Sequence, residues 1–144
     1  MIPEKLATLI EQQQDDIHRA DKKSVEIALE ALGVSPDSEF GEIYIKYKPA
    51  NFESNVSDEY IKDVAEPTQQ VLRGTTFIHE VWEIPENYIC FTSLQGEGGY
   101  FLDKLSGCVW DFDLAQQENF VSGLIPARWG SFFEFLTWYL SPAE

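Results

Sequence analysis

IPENYICFTSLQGEGGYFLDKLSGCVWDFD, residues 84–113, decides the fold of this chain. Three runs of β-branched and aromatic residues, Tyr88–Thr92, Gly99–Asp103 and Cys108–Phe112, stand between turn signals. Gln95-Gly96-Glu97-Gly98 and Lys104-Leu105-Ser106-Gly107 supply the turns. Connections this short join sequential antiparallel neighbours, so the stretch predicts a three-stranded meander. Just upstream, Thr75–Ile84 is rich in β formers and predicts a further strand run, with Pro85 demoting its end to an edge or a turn.

Outward from the meander the period lengthens. Leu6, Leu9, Ile10, Gln13 and Ile17 fall at helical spacing, giving a first helix that dissolves near Asp15–Asp21. Val25, Ala28, Leu29 and Leu32 form a second apolar stripe, with Ser24 as its N-cap and Gly33 as its stop. Ser35-Pro36 reads as an N-cap followed by proline at the first helical position. Behind it Phe40, Ile43, Tyr44 and Tyr47 recur at i, i+3, i+4 and i+7; the same residues could alternate as a strand, but the proline start favours helix. At the far end Ser131-Phe132-Phe133-Glu134 is a capping box. Trp129, Phe132, Phe133, Leu136, Tyr139 and Leu140 then make one broad apolar face. Trp138 falls roughly opposite Trp129, taking ~100° per residue. It is either packed beneath the first helix, which has Leu6, Leu9 and Ile10 to bury, or exposed as a contact residue; the first is expected.

Asn51 to Gln70 is irregular and polar, carrying Glu53, Asp58, Glu59, Asp63 and Glu66 against Lys62 alone, and Pro67 blocks an onward helix. It reads as a long surface loop with room for one helical turn over residues 57–64. Helices, then strands, then a helix predict an α+β fold: an antiparallel β-meander sheet with helices before it in sequence and one C-terminal helix packed against it. At 144 residues the chain makes a single domain, with an N-terminal helical extension over 1–22 and an acidic insert over 49–70.

A hydrophobic content of 44% with 14% aromatic residues is ample for a packed core. The net charge of −15 argues against nucleic acid, whose phosphates require Lys and Arg, and against anionic membrane surfaces. A cationic protein is the natural complement, although acidity alone also serves solubility. From Gly74 to Ala127 eight acids (Glu80, Glu83, Glu86, Glu97, Asp103, Asp111, Asp113, Glu118) face Lys104 alone. The N-terminus lacks the basic, apolar and small-residue segments of a signal peptide, and no run approaches the ~18 apolar residues of a membrane span, so a cytoplasmic protein is expected.

Signals for chemistry are weak. His18 lies in a polar helix; His79 and Glu80 would point to opposite faces of an extended run. Cys90 and Cys108 sit in the first and third strands of the meander, about twice ~4.8 Å apart, beyond disulfide reach, and read as buried thiols. Gly96-Glu97-Gly98-Gly99 lacks the Lys and Ser or Thr of a phosphate loop and reads as a hairpin with Glu97 at its tip. Asp111 and Asp113 alternate with Trp110 and Phe112 and share a face, and Trp82, Tyr100 and Trp110 could stack on sugars, so a small carbohydrate-active enzyme is a remote alternative. No catalytic residue, cofactor or metal is otherwise signalled.

The helix ending SVEIALEALGV, the Ser35-Pro36-Asp37 start, IPENYICFTSLQGEGGYFLD with GCVWDFD, and the closing SFFEFLTWYL together resemble the SUKH superfamily. That group contains many bacterial toxin-immunity proteins and, in fungi, regulators of cell-wall synthesis. The resemblance spans roughly Ser24 to Leu140. It implies that Ile84–Phe91 is a strand entering the sheet, Glu97–Asp103 a glycine-acid turn leading into the next, and Val109–Asp111 the third. Gly98-Gly99 stands where many members have Gly-Asp, and the acidic insert follows Tyr47. What it implies for function is a cytoplasmic immunity protein, a monomer or weak dimer, that binds and neutralises a cognate secreted toxin with a basic cleft, such as a nuclease. A regulatory or scaffold module is the alternative. The partner-binding candidates are Asp58, Glu59, Asp63 and Glu66 in the loop, with Glu83, Glu86, Glu97, Asp111 and Asp113 on the meander edge and turns.

Overall fold

The computed structural model describes residues 1–65 and 68–142. Helices α1 (Glu4–Glu11), α2 (Lys22–Leu32), α3 (Glu39–Lys46) and α4 (Gln70–Glu80) precede strands β1 (Tyr88–Cys90), β2 (Gly98–Asp103) and β3 (Val109–Asp113). Helices α5 (Gln117–Val121) and α6 (Phe132–Tyr139) follow. The three strands form the expected antiparallel meander in the order β1-β2-β3, with Tyr88 opposite Asp103 and Gly98 opposite Asp113. The fold is α+β.

Period-2 alternation splits the sheet between two cores. Ile89, Tyr100, Leu102 and Val109 join Leu6 and Ile10 of α1, Val25 and Leu29 of α2, Phe40 and Ile43 of α3, and Phe135 and Leu136 of α6. Cys90, Phe101 and Phe112 face the other way, onto Ile78 of α4, Ile84 and Phe120 of α5. Helices therefore cover both faces of the sheet.

Residues 70–80 correct one expectation. The run read as a strand is helix α4, with Val71, Thr75 and Ile78 buried at i, i+4 and i+7, while Phe77 and Val81 are exposed. β-branched residues disfavour helix by only a few tenths of a kcal/mol each, less than burying such a face returns. Helix ends also shift. Asp21, not Ser24, caps α2, its Oδ1 accepting the Ser24 N–H at 3.2 Å. Ser38, not Ser35, caps α3, its Oγ accepting the Gly41 N–H at 3.0 Å. Ser35-Pro36 instead forms a turn folded so tightly against α3 that a Cβ on Gly41 would lie 2.3 Å from the Ser35 carbonyl oxygen. The capping box of α6 is present in modified form: Ser131 Oγ accepts the Glu134 N–H at 3.2 Å, while the Glu134 carboxylate takes the Gly130 N–H at 2.7 Å.

The acidic loop carries no helical turn over 57–64. Its backbone is irregular there, with Ile61 bridging to Thr92, and Phe52, Ile61 and Val64 are buried in the main core. Tyrosine hydroxyls pin it down: Tyr44 donates to the Lys62 carbonyl at 2.8 Å and Tyr139 to the Glu59 carbonyl at 3.0 Å. Trp129 precedes α6 and exchanges backbone hydrogen bonds with Val109. Because Trp129 is not on the helix, the angular argument for Trp138 does not apply. The two indoles meet with ring centroids 4.9 Å apart, and Trp138 also lies beside Tyr100, 5.9 Å between centroids.

Helix α4 has a second task. Thr75 Oγ1 accepts the outward N–H of Cys90 at 3.0 Å and approaches its carbonyl at 3.5 Å, and His79 Nε2 donates to the Tyr88 carbonyl at 2.8 Å. These side chains close the outer edge of β1, which would otherwise present unpaired backbone groups. Thr75→Val keeps the shape but leaves the buried Cys90 N–H without an acceptor. Urea denaturation should show a loss of about 1–3 kcal/mol, with Thr75→Ser close to the parent. Equal stability of all three proteins would remove the hydrogen bond from the account.

Candidate functional site

The nine candidate acids fall into three groups of different standing. Two of the four loop acids, Asp63 and Glu59, are used inside the molecule. Asp63 holds Arg19 through two bonds, Arg19 Nη2 donating to Oδ1 at 2.8 Å and Nη1 to Oδ2 at 3.2 Å, while Arg19 Nε donates to the Tyr44 carbonyl at 3.1 Å. Burial opposes the charged form of Asp63, but the guanidinium and the neighbouring backbone N–H groups outweigh it and hold the carboxyl below its usual range. Glu59 accepts from the Ser93 hydroxyl and from the Gln95 N–H at 3.0 Å. Among the described loop candidates Asp58 alone is exposed with its carboxylate free. Glu66 lies outside the described residues.

The turn acids are different. Glu83, Glu86 and Glu97 are exposed, and none of their carboxylates has a partner among the described residues. Glu83 (φ 56°) and Glu97 (φ 60°) adopt left-handed backbone conformations without being glycine. That costs about 1–2 kcal/mol each relative to the ordinary basin. Residues in such conformations concentrate at sites that serve something other than stability.

The third group belongs to β3. Asp111 Oδ2 accepts Arg128 Nη1 at 2.8 Å, and Asp113 Oδ1 accepts the Ala115 N–H at 3.0 Å, capping the turn that leads to α5. The Arg128 guanidinium lies 4.4 Å from the Trp129 ring centroid and 4.7 Å from that of Trp138. Arg128 thus answers one of the eight acids that the sequence left facing Lys104 alone. Asp58, Asp111 and Asp113 come together around a shallow hollow of about 350 Å³ between residues 56–59, the 95–99 turn and the end of β3. Glu97 sits in that turn, beside the Gly98–Asp113 pair. Glu86 is distant, because it precedes Tyr88, which pairs with Asp103 at the other end of β2, ~17 Å from Gly98. The candidates therefore do not form one patch: one cluster surrounds the end of β3, and Glu83 and Glu86 lie before β1.

The chain matches no family model, and comparison with curated proteins and with solved structures found no match.

A second cleft, about 390 Å³, lies between the α2–α3 turn, the β2–β3 turn and the start of α6. Its charged groups are internal fasteners. Glu39 Oε1 accepts the Phe133 N–H at 2.8 Å, and Lys104 Nζ donates to the Leu32 carbonyl at 3.1 Å. Asp103 accepts from Asn87 Nδ2 at 3.0 Å, the Leu105 N–H at 2.9 Å and Ser106 Oγ at 2.9 Å. Burial alone would raise its pKa, but these bonds to the charged form keep it lowered.

Sugar stacking is poorly served. Trp82 and Trp110 pack in the core on the opposite face of the sheet from Asp111 and Asp113, and Tyr100 is 7% exposed with its hydroxyl bonded to Ser57. Among the described residues no group of three or more His, Cys, Asp or Glu side chains is placed to hold a metal ion. Both cysteines are free; burial pushes the Cys90 thiol up to about 12, and Cys108 is half-buried rather than buried as expected.

Sequence reasoning missed Arg19, Arg128 and the pairing of Trp129 with Trp138. No local signal announces Arg19–Asp63, whose members are 44 residues apart. The adjacency of Arg128 to Trp129 was visible, but not that Asp111 would come to meet it.

Proposed function

We propose that this protein is a SUKH-type immunity protein that acts in the cytoplasm by binding a cognate secreted bacterial toxin and covering its basic active-site cleft. The observation that carries the reading is the placing of exposed, unpartnered carboxylates at Glu83 and Glu97 in turn conformations where glycine or asparagine would be more stable. A surface built only for solubility has no reason to carry that strain. The net charge of −15 supports a cationic partner and accelerates its capture, by factors of 10–10³ for strongly steered pairs at low salt. The resemblance of the meander and its flanking helices to the SUKH superfamily supplies the biological setting. The inhibitor needs no reactive group of its own, because occupying the cleft excludes the toxin's substrate.

Co-expression with the product of the reading frame adjoining its gene, where that product is toxic, tests the proposal. Cells should survive with the parent protein and die with the toxin alone. Glu83→Gln, Glu86→Gln and Glu97→Gln combined should slow association about tenfold at low salt and flatten its salt dependence. Failure of the parent protein to protect sinks the immunity reading. Protection with a salt-independent rate would keep it but remove steering from the mechanism.

A further inference from the structure

The two edges of the sheet are treated differently. The outer edge of β1 is closed by Thr75 and His79 of α4. The outer edge of β3 is closed only at its start, where Val109 and Trp129 exchange backbone hydrogen bonds. Cys108 accepts the Asp103 N–H, so residues 108, 110 and 112 bond toward β2 and residues 109, 111 and 113 point outward. The Asp111 N–H and carbonyl and the Asp113 N–H therefore face away from the sheet, and no other group of the described residues meets them. They border the hollow shared with Asp58, and both aspartate side chains are exposed.

We infer that this open stretch of β3 accepts an extended, lysine- or arginine-bearing segment of a protein partner as an added fourth strand. The inference rests on the reading of the chain as a binder of a basic protein and names how that partner docks. Backbone hydrogen bonds at Asp111 and Asp113 would fix its register, and its alternate side chains would meet the carboxylates of Asp113, Asp58 and Glu97. A second copy of this chain is the poorer occupant. Pairing β3 with β3 would set aspartates against aspartates between two molecules each carrying −15. A cationic segment has the complementary charge. The cluster's one cation, Arg128, is already engaged by Asp111 and by two indoles, leaving the Asp113 side open to a partner's base.

The test uses the full chain, ¹⁵N-labelled, at low salt, with a peptide of about six residues alternating lysine and threonine. A second peptide carries N-methyl groups on the amides of one edge, and a third on those of the other. The unmodified peptide should shift the Asp111 and Asp113 amide signals and slow their hydrogen exchange. One methylated peptide should bind at least about tenfold more weakly, since it loses the bonds to β3, while the other retains affinity. Asp113→Asn should weaken binding with the amide shifts still in place. Equal binding of all three peptides, shifts confined to other amides, or no shift at large excess would overturn strand addition. So would a dimer in solution with these amides already protected in the free protein. Toxin neutralisation is read separately: protection without strand addition means the toxin docks elsewhere, and strand addition without protection removes the immunity reading alone.

Discussion

Asp63→Ala is expected to cost about 3 kcal/mol of stability, the low end of the range for breaking a buried ion pair. The variant leaves the Arg19 guanidinium, only 6% exposed, without its carboxylate, whereas Asp63 itself is 28% exposed, which moderates the loss. Arg19 also joins three segments. Its backbone N–H bonds the Lys46 carbonyl, its Nε bonds Tyr44, and its fork holds the loop at Asp63. Releasing it should loosen residues 61–65 before the rest of the chain. Urea denaturation reads the global effect, and hydrogen exchange at Val64 and Ala65 the local one. Arg19→Met combined with Asp63→Leu should recover most of the loss, because a packed apolar pair substitutes well for a buried ionic one. Recovery by neither double nor single neutralisation of Arg19 would show that the damage lies in the backbone. The pH dependence has a definite sign. Asp63 has a folded pKa below its unfolded value of about 3.9, so the pair's contribution is present above that value and is lost as pH falls through the folded one. As pH falls below the unfolded value the difference between parent and double variant should therefore narrow.

Phe91→Ala is expected to cost about 3–5 kcal/mol. Phe91 is fully buried just beyond β1, with its ring 5.3 Å from Phe132 and 5.2 Å from Phe135 of α6, and 6.0 Å from Phe40 of α3. It is the side chain through which the sheet, α3 and α6 meet, and its carbonyl accepts the Lys62 N–H, tying in the loop. A cavity there is bordered by ring edges that cannot collapse into it without rotating out of their tilted contacts. Phe91→Leu should cost under half as much. The check is thermal and urea unfolding of both variants; a loss below 1 kcal/mol for the alanine variant would mean that the aromatic cluster closes the gap.

Fold and site differ in how much of each the sequence disclosed. The meander was legible because turn residues, strand lengths and alternation are all local. Helix α4 was misread by weighing residue type over spacing: Val71, Thr75 and Ile78 already carried the helical period, and burial of that face settles the conformation. The loop looked like solvent-exposed chain because its acids outnumber its apolar residues, yet four side chains, Phe52, Ile61, Val64 and Ala65, suffice to sink it into the core. Acidity was legible as a total and not as a map. Asp63, Glu59 and Asp111 found partners far along the chain, whereas Glu83 and Glu97 did not. Only three-dimensional pairing separates the acids that hold the molecule together from those left facing outward.

The closure of β1 by Thr75 and His79 also bears on stoichiometry. A sheet grows without limit only when each added strand leaves a fresh edge on a molecule that still has another free. Here one side is capped by a helix's own side chains, so whatever joins at β3 ends the series. If a partner strand adds at β3 as inferred, it leaves no free sheet edge on this chain, and addition stops at one partner per chain.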